Sequence, residues 1–207
     1  IEAILENSGI SIVPAIVTGG KKMQRIDDQY FYVFRWQQGK IADWNHISDE
    51  MCLKAGNLLG KIHAIDPRNI APLTPEISSI DWRGYVLRAK EENAAVASLL
   101  EENEDLLVCA ENELNKARAS LPAVSCLSNE DMDPKNIMWD NGSPWMIDLE
   151  CLDYGNPISH VMQLALQWSG IVTCRMDMDK MIAFFDGYLG AYDNCFRGYS
   201  DVVGVAY

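Results

Sequence analysis

One dipeptide constrains the fold of this chain most, because it marks a tight turn between two apolar runs. Asn141-Gly142 separates the apolar residues of 136–139 from those of 145–147. Asn-Gly is the strongest short-range signal for a two-residue hairpin turn, since both residues tolerate a positive φ. The sequence therefore predicts two antiparallel strands that meet at this turn.

The partners across this hairpin depend on where the turn is placed. Pro144 has no N–H to give to a strand ladder, so we place it in the loop and pair Trp139 with Trp145. Counting outward, Asn136 then lies opposite Asp148, with Cβ atoms about 5 Å apart. An amide oxygen and a carboxylate at that spacing can share Mg²⁺, which prefers oxygen ligands. This register predicts a metal site at the base of the hairpin.

The charge balance limits the class of partner. Among 207 residues the net charge is -13 and 48% are hydrophobic, so the chain can bury a core and present an acidic surface. Such a surface argues against nucleic acid and anionic membranes as partners, and no apolar run is long enough to span a bilayer. We expect a small-molecule partner, with cationic compounds favoured, although acidity that serves only solubility also fits. The six cysteines form no CxxC pair, which is typical of a reducing cytoplasm.

The chain divides into a short β-rich part and a longer helical part. A helix end over residues 1–9 precedes two β-rich stretches, 11–20 and 29–36, which we expect to pair as antiparallel strands. Helical periodicity dominates after a connector, and helices are expected from Ser48 to before Pro67 and over about 82–100, 104–121, 157–170 and 178–189. His63 is expected to be a hydrogen-bonded core histidine. The pattern predicts an α+β fold.

The loop before the hairpin carries the side chains that phosphoryl transfer from ATP requires. Asp131 and Asn136 are five positions apart, and Asp148 follows the hairpin. One carboxylate can take the proton of an acceptor hydroxyl, while an amide oxygen and a second carboxylate hold the Mg²⁺ on the phosphates. The register argument favours this interpretation over a surface hairpin with polar flanks. An EF-hand is excluded, because its loop needs an oxygen ligand, Gly and Glu where this chain has Lys135, Asn136 and Gly142.

Two segments carry a resemblance to a known family. SNEDMDPKNIMWDNGSPWMIDLECLDYGNP, from Ser128 to Pro157, resembles the catalytic motif and metal-binding hairpin of the aminoglycoside phosphotransferase and choline kinase-like family. LLGKIHAID, from Leu58 to Asp66, resembles the helix end with the Leu-His-Ala signature of that family. The resemblance implies a protein-kinase-like fold. Residues 1–38 would be a remnant of the β-rich N-terminal lobe with the hinge, and residues 39–207 the helical C-terminal lobe that carries the hairpin.

The resemblance also implies roles in chemistry and in acceptor binding. Asp131 would be the catalytic base, and Asn136 and Asp148 would be the Mg²⁺ ligands. In related enzymes, acids that follow the hairpin hold the amino groups of cationic substrates. Glu150 and Asp153 are therefore candidate substrate contacts.

A further set of positions is implied to bind the nucleotide. The strand that leaves the β-rich lobe passes its backbone along adenine in the family, which corresponds here to Phe34, Arg35 and Trp36. Met138 and Ile147 fall where apolar residues line the floor of the nucleotide pocket. The implied cofactors are Mg²⁺ and ATP, with GTP possible.

The chain departs from the family pattern at several points. Asn129 stands where the family usually has a His, two residues before the base, and Asp133 replaces a second His. No Gly-rich loop and no strand Lys for the phosphates occurs before Ser11. We expect those parts to precede Ile1, and the chain to be a piece of a longer protein at both ends.

Two classes of function remain at this point. The sequence favours an ATP-dependent phosphotransferase that moves the γ-phosphate to a hydroxyl of a small, cationic molecule such as an aminoglycoside or a choline-like metabolite. The alternative is a kinase-like module that binds nucleotide or metabolite without catalysis. The departures upstream of Ser11 keep the alternative open, while Asp131, Asn136 and Asp148 argue for catalysis.

Overall fold

The computed structural model describes most of the chain, namely residues 1–65 and 77–192. These residues form two compact units, which cover residues 1–65 with 124–192 and residues 77–123. Expectations that involve Asp66, Pro67 and the C-terminal end after Tyr192 lie outside the described residues. Within the described ranges, no helix is both long enough and apolar enough to cross a bilayer.

Helices and short antiparallel strands build the first unit, whereas the described residues of the second unit form helices α3, α4 and α5 without a strand. The α-helices of the described part are α1 (Glu2–Asn7), α2 (Asp49–His63), α3 (Trp82–Glu91), α4 (Ala97–Glu102), α5 (Glu104–Ser120), α6 (Pro157–Trp168) and α7 (Met178–Ala191). The strands are β1 (Gln24–Ile26), β2 (Gln29–Phe31), β3 (Lys40–Ile41), β4 (Cys126–Asn129), β5 (Ile137–Asp140), β6 (Ser143–Met146) and β7 (Leu152–Gly155). The predicted α+β class is confirmed.

The hairpin predicted from Asn141-Gly142 joins β5 to β6. Asn141 has φ 47° and Gly142 has φ 76°, so both turn residues are left-handed. This is the backbone of a type I′ turn, whose twist matches that of the flanking strands. The existence and position of the hairpin are therefore as predicted.

The predicted register of this hairpin is wrong by one residue. In a two-residue turn the flanking residues Asp140 and Ser143 form the first pair, so Trp139 faces Pro144 and Ile137 faces Met146. Pro144 belongs to the strand and not to the loop. It is tolerated because Trp139 and Pro144 form a pair without hydrogen bonds, so the Pro144 nitrogen points away from β5.

The corrected register also removes the predicted cross-strand pair of Asn136 and Asp148. Asn136 instead meets Ile147, whose backbone N–H donates to the Asn136 carbonyl oxygen at 2.9 Å. Asp148 is the next residue and leaves the ladder with φ 56°. Any contact of Asp148 with a shared cation must therefore come from this turn out of the strand.

The hairpin is flanked on both sides by segments from the start of the chain. Met146 donates to the carbonyl oxygen of Ser11 at 2.9 Å and accepts from Val13 at 3.0 Å, so residues 11–13 lie along β6. On the other side, β3 pairs with β5, with Ile41 opposite Met138. The hairpin is thus the centre of a small sheet that the N-terminal residues complete.

The predicted pairing of 11–20 with 29–36 is only partly present. Ala15 and Phe34 form one antiparallel bridge, and Ile16 donates to Val33 at 2.8 Å. The regular ladder lies instead between β2, at the start of the second β-rich stretch, and β1, which falls in the stretch expected to be turn. Pro14 removes a donor from the first stretch, which limits the pairing there.

Helices α2 and α7 form the main helical contact of the first unit. Ser48 caps α2 as predicted, accepting the backbone N–H of Met51 at 3.3 Å. Glycines allow the two backbones to approach closely, since a Cβ at Gly56 would overlap the carbonyl oxygen of Phe184 and a Cβ at Gly187 would overlap that of Leu53. The packing of these helices therefore depends on residues without side chains.

His63 is a satisfied core histidine, as predicted. It is fully buried, and its Nδ1 and Nε2 lie 2.9 Å from the Tyr188 hydroxyl and 3.0 Å from the Ser128 Oγ. Burial first, and the neighbouring His160 second, together lower the pKa of His63 to about 3. The imidazole is therefore neutral near pH 7 and links α2 to α7 and to β4.

The second unit differs from its prediction at one point. The helix expected over 82–100 is broken, because Asn93 takes the left-handed conformation with φ 50° between α3 and α4. Glu111 on α5 anchors the segment before α3, accepting from the Ile80 N–H at 2.7 Å and the Trp82 Nε1–H at 2.8 Å.

Two alanine substitutions on α7 test the close helix contact. Gly187→Ala forces its Cβ into the carbonyl of Leu53 and should lower the free energy of unfolding by about 3 kcal/mol. Gly190→Ala is the matched control, since nothing lies within 4 Å of its added Cβ, and it should be neutral or stabilising by up to about 1 kcal/mol. Urea unfolding measures both values. Equal stabilities of the two variants would contradict the contact.

The buried His63 predicts a pH dependence of stability. Because its pKa in the folded state lies below the ordinary 6.5, the unfolded chain takes up the proton first as the pH falls. The stability that depends on neutral His63 is complete above about pH 6.5 and is lost toward pH 3, at up to about 1.4 kcal/mol per pH unit. His63→Gln should be less stable at pH 7.5 but should show a shallower slope in urea unfolding between pH 6.5 and 5. An unchanged slope would refute this account, and the exposed His46→Gln serves as the control.

Candidate active site

The loop between β4 and β5 is closed by its own polar side chains. Asp133 caps the short 3-10 turn Pro134–Asn136, since its Oδ1 accepts the backbone N–H of Lys135 at 3.0 Å. Met132 is fully buried in the core and fixes the loop to the rest of the unit. Asp131 therefore lies between a capped turn and a strand, both of which are held in place.

The loop brings two of the predicted site residues into direct contact. Asn136 is 5% exposed, and its Nδ2 donates both to the Asp131 Oδ2 and to the Asp131 backbone carbonyl, each at 2.8 Å. Because the amide nitrogen is turned to Asp131, the amide oxygen is the atom left for a cation. The arrangement fixes one carboxylate oxygen of Asp131 relative to this amide.

Lys135 holds the other carboxylate oxygen of Asp131. Its ammonium lies 3.1 Å from the Asp131 Oδ1 and 3.2 Å from the Asp133 Oδ2. The hydrogen bonds to Asp131 and then to Asp133 raise the pKa of Lys135 above its ordinary value. Sequence reasoning gave Lys135 no role, although its spacing of four residues from Asp131 was the available signal.

Asn129 joins the loop to the residue after the hairpin. It is fully buried, and its Oδ1 accepts the backbone N–H of Asp131 at 3.1 Å. Its Nδ2 donates to the Asp148 carbonyl oxygen at 3.3 Å and contacts the Met146 Sδ at 3.4 Å. Asn129 thus anchors the loop at the position where the family usually has a His.

The charges of Asp131 and Asp148 both act on the thiol of Cys151. Loss of hydration raises the pKa of the exposed Cys151 thiol, and the negative charges of Asp131, Glu150, Asp148 and Glu130 raise it further. The link between the candidate base and this candidate metal ligand is Asn129, which accepts the Asp131 N–H and donates to the Asp148 carbonyl oxygen, and not the predicted strand register. Cys151 itself was not singled out from the sequence.

The oxygen donors near the loop are those of an open Mg²⁺ site, in which the protein supplies only one or two ligands, and not those of a site closed by protein ligands alone. Within residues 1–65 and 77–192, no three His, Cys, Asp or Glu side chains are arranged to hold a metal ion. Mg²⁺ commonly takes one or two protein oxygens and completes its shell with water and phosphate. The amide oxygen of Asn136 and the exposed carboxylate of Asp148 are hard oxygen donors of that kind.

The residues predicted to form the hinge are connected by a short segment to the strand that carries Met138, a residue predicted for the pocket floor. Phe34 and Trp36 are exposed, Trp36 by 91%, and Arg35 is exposed as well. The chain then runs through Gly39, where a Cβ would lie 2.8 Å from the Met138 Cγ, into the β3 pairing with β5. The segment expected to line adenine therefore leads directly to the strand that carries Met138.

The remaining predicted positions lie just after the hairpin. Ile147 is half-buried and follows β6, while Glu150 is exposed in the turn before β7. Asp153 lies on β7 opposite Ser128, and its Oδ1 accepts the backbone N–H of Tyr154 at 2.8 Å. The roles of Glu150 and Asp153 in substrate binding stay predictions.

Solved structures with the same fold are small-molecule kinases by their names. A spectinomycin phosphotransferase in complex with ADP and spectinomycin has a TM-score of 0.66 and 17% identity, over 90% of this chain and 61% of its own. For an aminoglycoside phosphotransferase from Alicyclobacillus acidocaldarius, the TM-score is 0.63 and the identity is 16%, and the match covers 92% of this chain and 63% of that protein's chain. For a Plasmodium vivax ethanolamine kinase, the TM-score is 0.57 and the identity is 19%, and the match covers 94% of this chain and 57% of that protein's chain. These likenesses show the predicted kinase-like fold, and the chain spans less than two thirds of each protein.

A match to a family model shows which protein family the chain belongs to. A search of curated proteins found no match. The model described as a phosphotransferase enzyme family matches residues 1–197, which is nearly the whole chain and includes the loop and the hairpin. The resemblance expected from the motifs is confirmed, and the chain belongs to this phosphotransferase enzyme family.

Proposed function

We propose that this protein is an ATP-dependent phosphotransferase that moves the γ-phosphate to a hydroxyl of a small molecule. The observation that carries the proposal is the pair of 2.8 Å hydrogen bonds from the Asn136 amide to Asp131, in a loop that Asn129 joins to Asp148. Family membership and the kinase-like fold support the reaction class.

Asp131 is the proposed catalytic base. The acceptor oxygen forms a bond to the γ-phosphorus while the bond from that phosphorus to the bridging oxygen of ADP breaks, and Asp131 takes the proton of the hydroxyl. Lys135 and Asn136 each hold one oxygen of its carboxylate, which limits rotation of the side chain. Such positioning contributes much of the rate in phosphoryl transfer, because the protein does little covalent chemistry.

Asn136 and Asp148 are the proposed Mg²⁺ ligands. The chemistry that Mg²⁺ would supply when held by these two side chains is neutralisation of the charge that develops on the phosphates. In this chain the buried Asn136 supplies an amide oxygen and the exposed Asp148 supplies a carboxylate. A spectinomycin phosphotransferase of the same fold was solved with ADP, and an amicoumacin kinase with AMP-PNP and Ca²⁺, which supports the use of a nucleotide and a divalent metal.

The nucleotide is proposed to lie between the hinge and the hairpin. Phe34, Arg35 and Trp36 would pass along the base, and the large exposure of Trp36 leaves an aromatic surface for such contact. Met138 on β5 and Ile147 just after β6, both half-buried, would form the floor. ATP is the expected nucleotide, with GTP as the possible replacement.

The acceptor is proposed to be a cationic small molecule with a hydroxyl group, in a cytoplasmic protein. The net charge of -13 and the acids around Cys151 support a cationic acceptor. Glu150 and Asp153 are the proposed contacts for its amino groups. Proteins of the same fold are named for spectinomycin and for ethanolamine, which defines the range of acceptors to screen first.

Replacement of the base separates transfer from binding. In the full-length protein, Asp131→Asn should lower kcat by about 10²-fold to 10⁴-fold while the Kd for ATP changes less than about threefold, since only proton acceptance is removed. ADP release measures turnover, and calorimetry measures binding. The control is Asp140→Asn at the hairpin turn, which should keep wild-type turnover. Normal turnover of Asp131→Asn would exclude Asp131 as the base. A wild-type protein that binds ATP but turns over none of the screened acceptors would favour the binding module.

A further inference from the structure

Helix α6 holds the catalytic loop on both sides of Asp131. The Trp168 Nε1–H donates to the Met132 carbonyl oxygen at 3.0 Å. On the other side, the His160 Nε2 lies 2.9 Å from the Glu130 Oε1, and the Gln163 Nε2 lies 3.5 Å from the Glu130 carbonyl oxygen. The residues directly before and after the proposed base are therefore attached to one helix.

The fold reserves space for the His160 ring. Its side chain is 6% exposed, and a Cβ at Gly155 would overlap the imidazole. Gly155 lies on β7 opposite Cys126, in a region where its backbone does not need a positive φ. The glycine at this position thus provides room for the histidine and does not serve a turn.

The hydrogen bonds of His160 indicate which nitrogen carries the proton. Its Nδ1 is buried and has no hydrogen-bond partner among the described residues, whereas its Nε2 faces Glu130. A buried N–H without an acceptor would be costly, so the Nε2–H form that donates to Glu130 is the favoured assignment. Burial lowers the pKa of His160, against the opposing effect of the Glu130 carboxylate, which agrees with a neutral ring.

Because of the His160 contact, the side chains of the adjacent acids Glu130 and Asp131 point in different directions. Glu130 turns to α6, while Asp131 turns to Asn136 and Lys135. The Glu130 side chain is 62% exposed, so without His160 it would rotate freely beside the base. It could then compete with Asp131 for the Lys135 ammonium.

We propose that His160 is a positioning residue that acts through Glu130: its hydrogen bond fixes the peptide before Asp131 and keeps the Glu130 carboxylate away from the base. The catalytic part of this inference rests on the proposed function, because it needs Asp131 to take the acceptor proton. The positioning part depends only on the contacts between α6 and the loop.

The exposed partner of the pair is the better residue to change, since its replacement should leave the fold intact. Glu130→Ala removes the acceptor of the His160 N–H, whereas Glu130→Gln keeps an oxygen that can accept it. Val161→Ala on α6 is the control for general loss of packing, because Val161 is fully buried and its side chain cannot hydrogen-bond the loop. All variants are made in the full-length protein.

Two readouts are measured on each variant. The first is hydrogen exchange of the Asp131 and Met132 amides, which bond to the Asn129 side chain and backbone, with the Val13 amide in the hairpin sheet as reference. The second is kcat and the KM for ATP with one accepted acceptor.

Glu130→Ala should speed exchange at Asp131 and Met132 by at least about tenfold, without change at Val13. It should lower kcat by about 10-fold to 100-fold, as expected for a small misplacement of a catalytic group, with KM for ATP within about twofold. Glu130→Gln should restore both readouts to within about threefold of wild type. Val161→Ala should change neither.

The inference is overturned if Glu130→Ala leaves loop exchange and kcat unchanged, or if Glu130→Gln is as impaired as Glu130→Ala, since charge and not the hydrogen bond would then matter. These outcomes differ from failure of the proposed function, in which Asp131→Asn keeps its turnover. In that case hydrogen exchange still decides whether His160 positions the loop.

Discussion

The buried side chain of Asn129 is the constraint on which the rest of the site depends. Its oxygen holds the backbone of Asp131 and its nitrogen holds the carbonyl of Asp148, so one amide sets the distance between the loop and the end of the hairpin. An amide with both a donor and an acceptor can make these two bonds at once. A second link between the loop and the end of β6 is the backbone hydrogen bond from Ile147 to Asn136.

The fold was predictable where local chemistry decides it. Asn141-Gly142 predicted the hairpin because few other dipeptides accept two left-handed residues in succession. The register was not predictable from the position of Pro144 alone. The turn type decides which residues form the first pair, and a Pro is harmless wherever its nitrogen points away from the partner strand. The break at Asn93 is a similar case, since the helical pattern continues on both sides of it.

The candidate site was predictable in its residue types but not in its connections. Asp131 and Asn136 were found from their spacing and from the family resemblance, and the structure joins them directly. The pair of Glu130 and His160 lies 30 residues apart in sequence, with no local pattern to link them. Contacts of this kind depend on how α6 packs against the loop, which a single sequence does not encode in any short motif.

Titration calorimetry of the full-length protein with a non-hydrolysable ATP analogue, with and without Mg²⁺, tests the proposed metal site most directly. Mg²⁺ should strengthen binding by at least about tenfold, and Asp148→Asn should remove most of this gain while Asp140→Asn retains it. Binding that is unaffected by Mg²⁺ and by Asp148→Asn would contradict a metal site formed by Asn136 and Asp148. The loop and hairpin would then hold nucleotide or metabolite without the arrangement that phosphoryl transfer requires.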